Sequence, residues 1–198
     1  MTRSWILFPA VSLFVLIGCG GSVPLSQQPK TAPSAILYTD PTGEGWRLVK
    51  DTASTPTHLL LNVIGPSGTM GRGVSLNVST DCPDIRFTKF KDGRYIKDMG
   101  VFQLYQSDPN EPKLMIGGVR EGKLLLGIFQ KDYFHLPAKD CGAPLLQFGI
   151  EVNPETKEYL PMQATLTISK ALMLPEDVVD PRSRLEPITI SLGTLTLK

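Results

Sequence analysis

Residues 74–79, Val-Ser-Leu-Asn-Val-Ser, alternate apolar and small polar side chains. A period of two places the apolar side chains on one face of a β-strand and the polar ones on the other. Residues 164–169 and 188–192 alternate in the same way, and Leu195 and Leu197 continue the pattern. These stretches predict strands with one buried and one exposed face.

Denser apolar runs predict the central strands of the fold. Residues 59–61 and 124–126 are each three consecutive leucines, which is typical of strands buried on both sides. Further strands are predicted at residues 35–38, 46–49, 85–91, 101–105, 113–119 and 145–152.

Turn residues separate these predicted strands. The dipeptide Asp92-Gly93 predicts a hairpin, because glycine tolerates a positive φ there. Ile85 and Phe87 share one face of the predicted strand while Phe90 lies opposite, and a bulge near residues 88–89 would reconcile them. Only residues 175–180 are predicted to form a short helical turn.

The composition favours the same fold class. The chain has 18 glycines and 17 prolines among 198 residues. Their combined share is above the roughly 12% that these two residue types usually make up. This content favours many turns and disfavours long helices. Together with the many short strands, it predicts an all-β, antiparallel β-sandwich.

The first 19 residues resemble a signal for lipid attachment. Arg3 precedes an apolar run over residues 5–17, and Leu16-Ile17-Gly18-Cys19 follows. The run is shorter than the roughly 20 residues of a membrane-spanning helix. The final tetrapeptide resembles the bacterial lipobox, which implies cleavage before Cys19 and acylation of its thiol. An ordinary cleaved signal with a chance cysteine is the alternative.

The segment after this leader predicts a tether. Residues 20–34 are rich in glycine, serine, proline and glutamine, and they cannot bury enough apolar surface to fold alone. We therefore expect a signal peptide over residues 1–18, a lipidated Cys19 with a flexible linker to residue 34, and a β-sandwich domain over residues 35–198. Gly20 resembles the residue after the cysteine in lipoproteins of the bacterial outer membrane, so the expected location is the cell envelope, on a periplasmic or surface-exposed face.

The charge balance argues against nucleic acid as a partner. The chain has 20 Lys and Arg against 19 Asp and Glu. Removal of residues 1–18 removes only Arg3 from this count and leaves a neutral chain, which has no field to concentrate a polyanion.

The other two cysteines form a candidate pair. Cys82 and Cys141 each lie beside turn residues, and envelope compartments of bacteria are oxidising. We expect a disulfide between them, which would close a loop of about 60 residues and stabilise the fold by roughly 4 kcal/mol. Two free thiols, or half of a metal site, are the alternatives.

Several segments together resemble the cohesin family, whose members are jelly-roll β-sandwiches. The resemblance lies in LLLNVIGPSG (59–68), GRGVSLNVSTD (71–81), GVFQLYQ (100–106), GIFQK (127–131) and GTLTL (193–197). It implies a jelly-roll sandwich and a tendency to bind a protein or a glycan. No dockerin-contact residue is matched position by position.

Aromatic side chains are the candidate ligand-binding residues. Tyr133 and Phe134 precede His135, and three consecutive rings cannot all face one core. Exposed rings stack on sugars or serve as hot spots for a protein partner. Trp46 is the rival candidate, either as a sugar platform or as a cap on one end of the sandwich. Packing against the core is the alternative for Tyr133 and Phe134.

Signals for catalysis and for metal binding are weak. His58 and His135 are the only histidines, and the sequence contains no G-x-S-x-G. Asp81 with Asp84, or residues 108–111, could contribute oxygen ligands to calcium, but neither fits the EF-hand loop. We expect no cofactor, no metal and no enzymatic activity.

A basic segment follows Cys82: Arg86, Lys89, Lys91, Arg94 and Lys97. Lysines protect sheet edges from unwanted pairing, and this explanation is favoured. Contact with anionic lipid or an acidic partner is the alternative.

The sequence thus predicts a lipid-anchored envelope protein with a non-enzymatic recognition module. Its expected partner is another envelope protein. A polysaccharide is the second hypothesis, and a hydrolase is the third.

Overall fold

The structure, a computed structural model, describes residues 35–102, 114–130, 136–156, 162–177 and 185–198. Within these ranges it contains β-strands and no helix. In chain order the strands are β1 (Ile36–Thr39), β2 (Arg47–Lys50), β3 (His58–Ile64), β4 (Met70–Thr80), β5 (Ile85–Thr88), β6 (Ile96–Asp98), β7 (Met115–Arg120), β8 (Lys123–Phe129), β9 (Lys139–Asp140), β10 (Pro144–Val152), β11 (Met162–Ala164), β12 (Leu166–Pro175), β13 (Glu186–Pro187) and β14 (Thr194–Leu197).

The stretch 74–79 lies in β4, the central strand of what we call the front sheet. Its strands are antiparallel in the order β13-β12-β4-β8-β7, with β9 also paired to β4. Val74, Leu76 and Val78 are almost fully buried, and the polar residues between them are half-buried. The predicted alternation is therefore confirmed.

The back sheet is also antiparallel, in the order β2-β3-β10-β5, with β6 on β10 as well. β3 and β8 each lie between two neighbours, so the central position predicted for the two leucine runs is confirmed. The predicted burial on both sides is incomplete, because Leu60 and Leu125 on the outer faces are half-buried. Side chains from both sheets fill one core, in which the largest fully buried members include Phe148, Leu61, Leu76 and Leu124. The antiparallel β-sandwich is thus confirmed.

A small terminal sheet, β1-β14-β11, closes one side of the domain. Thr165 alone separates β11 from β12, so this sheet continues into the front sheet. Ala35 and Lys198 exchange two backbone hydrogen bonds of 2.9 Å. The chain therefore enters and leaves the described domain at one place.

The predicted strand at residues 188–192 is wrong. This segment crosses between the sheets: the Ile188 N–H donates to Ala171 O of the front sheet, and Ser191 forms a parallel bridge with Arg47 of the back sheet. Ile188, Ile190 and Leu192 still pack on the core. Their period of two reflects this packing and not a ladder.

The predicted hairpin at Asp92-Gly93 is half right. Gly93 has φ 80° in a local turn, but β5 and β6 do not pair with each other. Thr88 pairs with Gly149 and Ile96 with Phe148, which are adjacent residues of β10. Residues 89–95 therefore form an excursion from one edge, and this excursion replaces the predicted bulge.

Two other predictions fall partly outside the described residues. Pro175 ends β12 and residues 176–177 form a turn, but the rest of the predicted helical turn is not described. Val101 and Phe102 are not in a strand, and residues 103–113 are not described.

Candidate recognition surface

The outer face of the front sheet is the candidate recognition surface. Its side chains alternate with the buried ones of the same strands, and the register aligns them in cross-strand rows. One row is Leu172, Ser75, Gly127 and Ile116, and the next is Lys170, Asn77, Leu125 and Gly118.

This face is partly apolar. Ile116 is 60% exposed, and Leu172 and Leu125 are half-buried. Gly118 contributes no side chain, and Gly127 is buried because the Phe129 ring packs against it, so that a β-carbon there would come within 3.0 Å of the ring. Exposed apolar side chains grouped on one face and rimmed by polar residues are typical of protein interfaces.

Trp46 is buried and is not a sugar platform. Only 8% of it is exposed, and a β-carbon at Gly65 would lie 3.0 Å from the Trp46 ring. The Trp46 carbonyl accepts a hydrogen bond of 2.8 Å from Ser191 N–H. The Trp46 side chain is thus part of the core, and its backbone is bonded to the crossing C-terminal segment. Tyr133, Phe134 and His135 lie outside the described residues.

His58 is engaged in a cross-strand contact on the outer face of the back sheet. Its Nε2 lies 2.9 Å from Thr88 Oγ1. Gly149 lies between the two strands, and a β-carbon there would come within 2.7 Å of Nε2. The histidine therefore has a structural hydrogen-bond partner within the sheet.

The expected disulfide between Cys82 and Cys141 is wrong, since both thiols are free and buried. They lie at opposite ends of β4: Cys82 N–H donates to Thr80 Oγ1, and a β-carbon at Gly71 would lie 2.9 Å from Cys141 Sγ. At about 3.3 Å per strand residue, the ends are about 30 Å apart. A disulfide requires α-carbons within about 7 Å.

Both thiols are also of low reactivity. Burial raises the pKa of Cys141 to about 11, and burial likewise raises the pKa of Cys82. Since the thiolate is the reactive form, neither side chain is a nucleophile near neutral pH.

A polar network on the back sheet was missed by sequence reasoning. Asn62 and Gln147 are 5% and 3% exposed, and each donates from its amide to Asp51 Oδ2 at 2.9 Å. Gln147 also donates to Asn62 Oδ1 at 2.9 Å. The Asn62 bond, followed by the one from Ala53 N–H, holds the pKa of Asp51 below its usual value.

The network holds the loop that begins at Asp51 against the sheet. The signal for it was present in the sequence, because one amide interrupts each of two apolar runs, LLLNVI and LLQFGI. A buried amide within a strand needs a polar partner.

A cleft of about 650 Å³ lies at the open side of the sandwich, and we call it the side cleft. Ile85, Phe87 and Tyr95 line one side and Val119 the other. Two members of the basic segment also line it: Arg86 Nε donates to Glu151 at 2.6 Å, and Lys89 Nζ lies 5.2 Å from the centre of the Tyr95 ring.

Two of the candidate calcium ligands form hydrogen bonds within the fold. Asp81 Oδ1 accepts a hydrogen bond from Thr165 N–H, and Asp84 Oδ1 accepts one from the Thr156 hydroxyl. Residues 108–111 lie outside the described ranges. Across the part of the chain that the structure describes, no three acidic, histidine or cysteine side chains gather as a metal site. In the same part, no helix has the length and apolar character needed to cross a membrane.

No family model and no curated protein matches this chain. It is similar to several solved structures of cohesins. One is the sixth cohesin of scaffoldin B from Acetivibrio cellulolyticus, in complex with a Cel5 dockerin mutant: identity is 12%, coverage is 76% of this chain and 96% of that chain, and the TM-score is 0.48. Another is the OlpC cohesin with dockerin Doc435 from Clostridium thermocellum, at 10% identity, 84% and 94% coverage and a TM-score of 0.46.

The seventh type I cohesin of ScaB from Pseudobacteroides cellulosolvens is a third, at 9% identity, 76% and 88% coverage and a TM-score of 0.43. Cohesins are also the family that the sequence segments resemble. At these scores the likeness carries no functional argument, so the function is argued from this chain's own residues.

Proposed function

We propose that this chain is a non-enzymatic protein-recognition module of the bacterial cell envelope, which binds another envelope protein through the outer face of the front sheet. The observation that supports it is Ile116, which is 60% exposed and shares a four-strand row with the half-buried Leu172. An exposed isoleucine on such a surface contributes roughly 1.5–3 kcal/mol when a partner covers it.

The partner chemistry that we propose is a flat apolar patch with a polar rim. Lys170 is the only charged member of the two rows described above, and Arg120 and Lys123, the next cross-strand pair on the same face, add positive charge at its rim. In two of the cohesin structures the bound partner is a dockerin. We propose a protein partner more generally, because no dockerin-contact residue is matched in this chain.

The proposed cellular location of the module depends on the leader sequence. We propose that Cys19 carries a diacylglyceryl thioether and an acyl chain on its amine, since two or more chains anchor a protein where one does not. Residues 20–34 then tether the domain to the membrane, with the outer membrane as the proposed site. The mass of the amino-terminal peptide from the native chain tests the acylation directly.

Affinity purification of the full chain from detergent-solubilised membranes tests the recognition surface. We expect Ile116→Asp to lower recovery of a specific partner about tenfold or more, because a carboxylate in an apolar interface is costly to desolvate. Leu37→Asp is the matched control, since Leu37 is 39% exposed on β1 in the terminal sheet. Equal recovery with both variants would refute the proposed surface.

A further inference from the structure

The strand β7 forms one edge of the front sheet, and its turn fixes which backbone groups face outward. Glu121 and Gly122 connect β7 to β8 with φ of 52° and 73°. In such a two-residue turn the flanking residues, Arg120 and Lys123, form a hydrogen-bonded pair. The pattern repeats every second residue, and Phe129 N–H donates to Leu114 O at 3.0 Å as this register requires.

The odd-numbered residues of β7 therefore point their N–H and C=O groups away from β8. These are Met115, Gly117 and Val119, of which the last two are exposed. Within the described ranges, no strand pairs with β7 on that side. Ile96 of β6 packs against Gly117 on the core side, 3.2 Å from where a β-carbon would lie, so the edge is most open toward Val119. β7 is Met-Ile-Gly-Gly-Val-Arg, without the proline, lysine or bulge that usually protects an edge.

The side cleft runs beside this edge. Val119 is paired with the buried Leu124 of β8 and therefore points to the core side of the sheet. Its side chain lines the cleft, and 42% of Val119 is exposed. Phe87 and Tyr95 face it across the cleft and are half-buried. An apolar side chain entering here would extend the core.

The charges around the cleft favour an acidic occupant. Arg86, Lys89 and Glu151 line the cleft, and Arg86 is paired with Glu151. Lys91 and Arg94 lie on the adjoining excursion, where Arg94 is paired with Asp92, so Lys89 and Lys91 are left as the excess positive charge. Arg94 Nη1 lies 4.0 Å from Met115 Sδ, so the basic excursion reaches the beginning of β7.

We propose that the free edge of β7 and the side cleft bind an extended segment of a partner protein, with alternate apolar side chains in the cleft and carboxylates at its ends. Backbone hydrogen bonds to residues 117 and 119 supply the pairing, and the cleft selects the side chains. This site is separate from the outer face, because the backbone groups and side chains that form it point elsewhere.

Fluorescence anisotropy of the full chain with a synthetic peptide tests this proposal. The peptide alternates valine and threonine, with paired aspartates at both ends. A second peptide carries N-methyl groups on the amides that would face β7, and a third has lysines in place of the aspartates. We expect the first to bind and each of the others to bind about tenfold more weakly or not at all.

Variants of the chain locate the binding. Val119→Lys introduces a charge at the edge and should weaken binding about tenfold or more. Leu185→Lys is the matched control: it adds the same charge at a side chain that is 43% exposed beside β13, at the opposite edge of the front sheet, so binding should be unchanged.

Three results would overturn the proposal. They are no binding of the first peptide, equal binding of its N-methylated form, and a dimer in solution that Val119→Lys dissociates, which would make a second copy the occupant. The peptide comparison needs no variant and so decides the matter even if Val119→Lys fails to fold. Failure here leaves the effect of Ile116→Asp on partner recovery untouched.

Discussion

At the residue scale, single polar and glycine positions set the structure of the back sheet. Gly149 leaves space for the contact between His58 and Thr88, and Asp51 accepts bonds from two buried amides. The amides of Asn62 and Gln147 were visible in the sequence as interruptions of apolar runs. Their partner was not, because Asp51 reaches them from a loop that only the fold brings over the sheet.

Asp51→Ala should destabilise the chain by about 1–3 kcal/mol near neutral pH, because it leaves the Asn62 and Gln147 amides buried without their carboxylate acceptor. The folded pKa of Asp51 is lowered, so its contribution is present above the unfolded value of about 3.9 and is lost as the pH falls through the folded value. Urea unfolding of both proteins over a pH series measures this. A difference that stays constant into acid would contradict the assigned role of the carboxylate.

At the element scale, alternation predicted β4 and β12, and triple leucines predicted the central β3 and β8. Pattern alone could not place β5 and β6, because their common partner, β10, lies about 50 residues further along the chain. The same limitation affected residues 188–192. Their side chains alternate toward the core while their backbone crosses from one sheet to the other.

The separation of the two cysteines by the length of β4 leads to a prediction about their reactivity. With Cys82 and Cys141 at its two ends, both thiols should resist a thiol reagent in the native chain and react in denaturant, without prior reduction. The midpoint of urea unfolding should be the same with and without reductant. A thiol count of zero in denaturant, restored by reductant, would show that the two cysteines are bridged.

At the scale of the whole molecule, the sandwich followed from the sequence, but the surface that it presents did not. The candidate aromatic residue Trp46 is buried, and the recognition surface depends on Ile116 and Gly127, which share a row only through the pairing of β7 with β8. Glycine between apolar residues signals close packing or a turn in a sequence. Only the sheet shows that Gly127 makes room for the Phe129 ring on this face.

Site-specific photo-crosslinking in intact cells tests the recognition surface most directly. A photoreactive amino acid replaces Ile116 in one chain and Leu37 in another, and adducts are identified by mass spectrometry. We predict one recurrent envelope protein crosslinked from position 116 and absent from position 37. The same adducts from both positions, or none from position 116, would contradict the account.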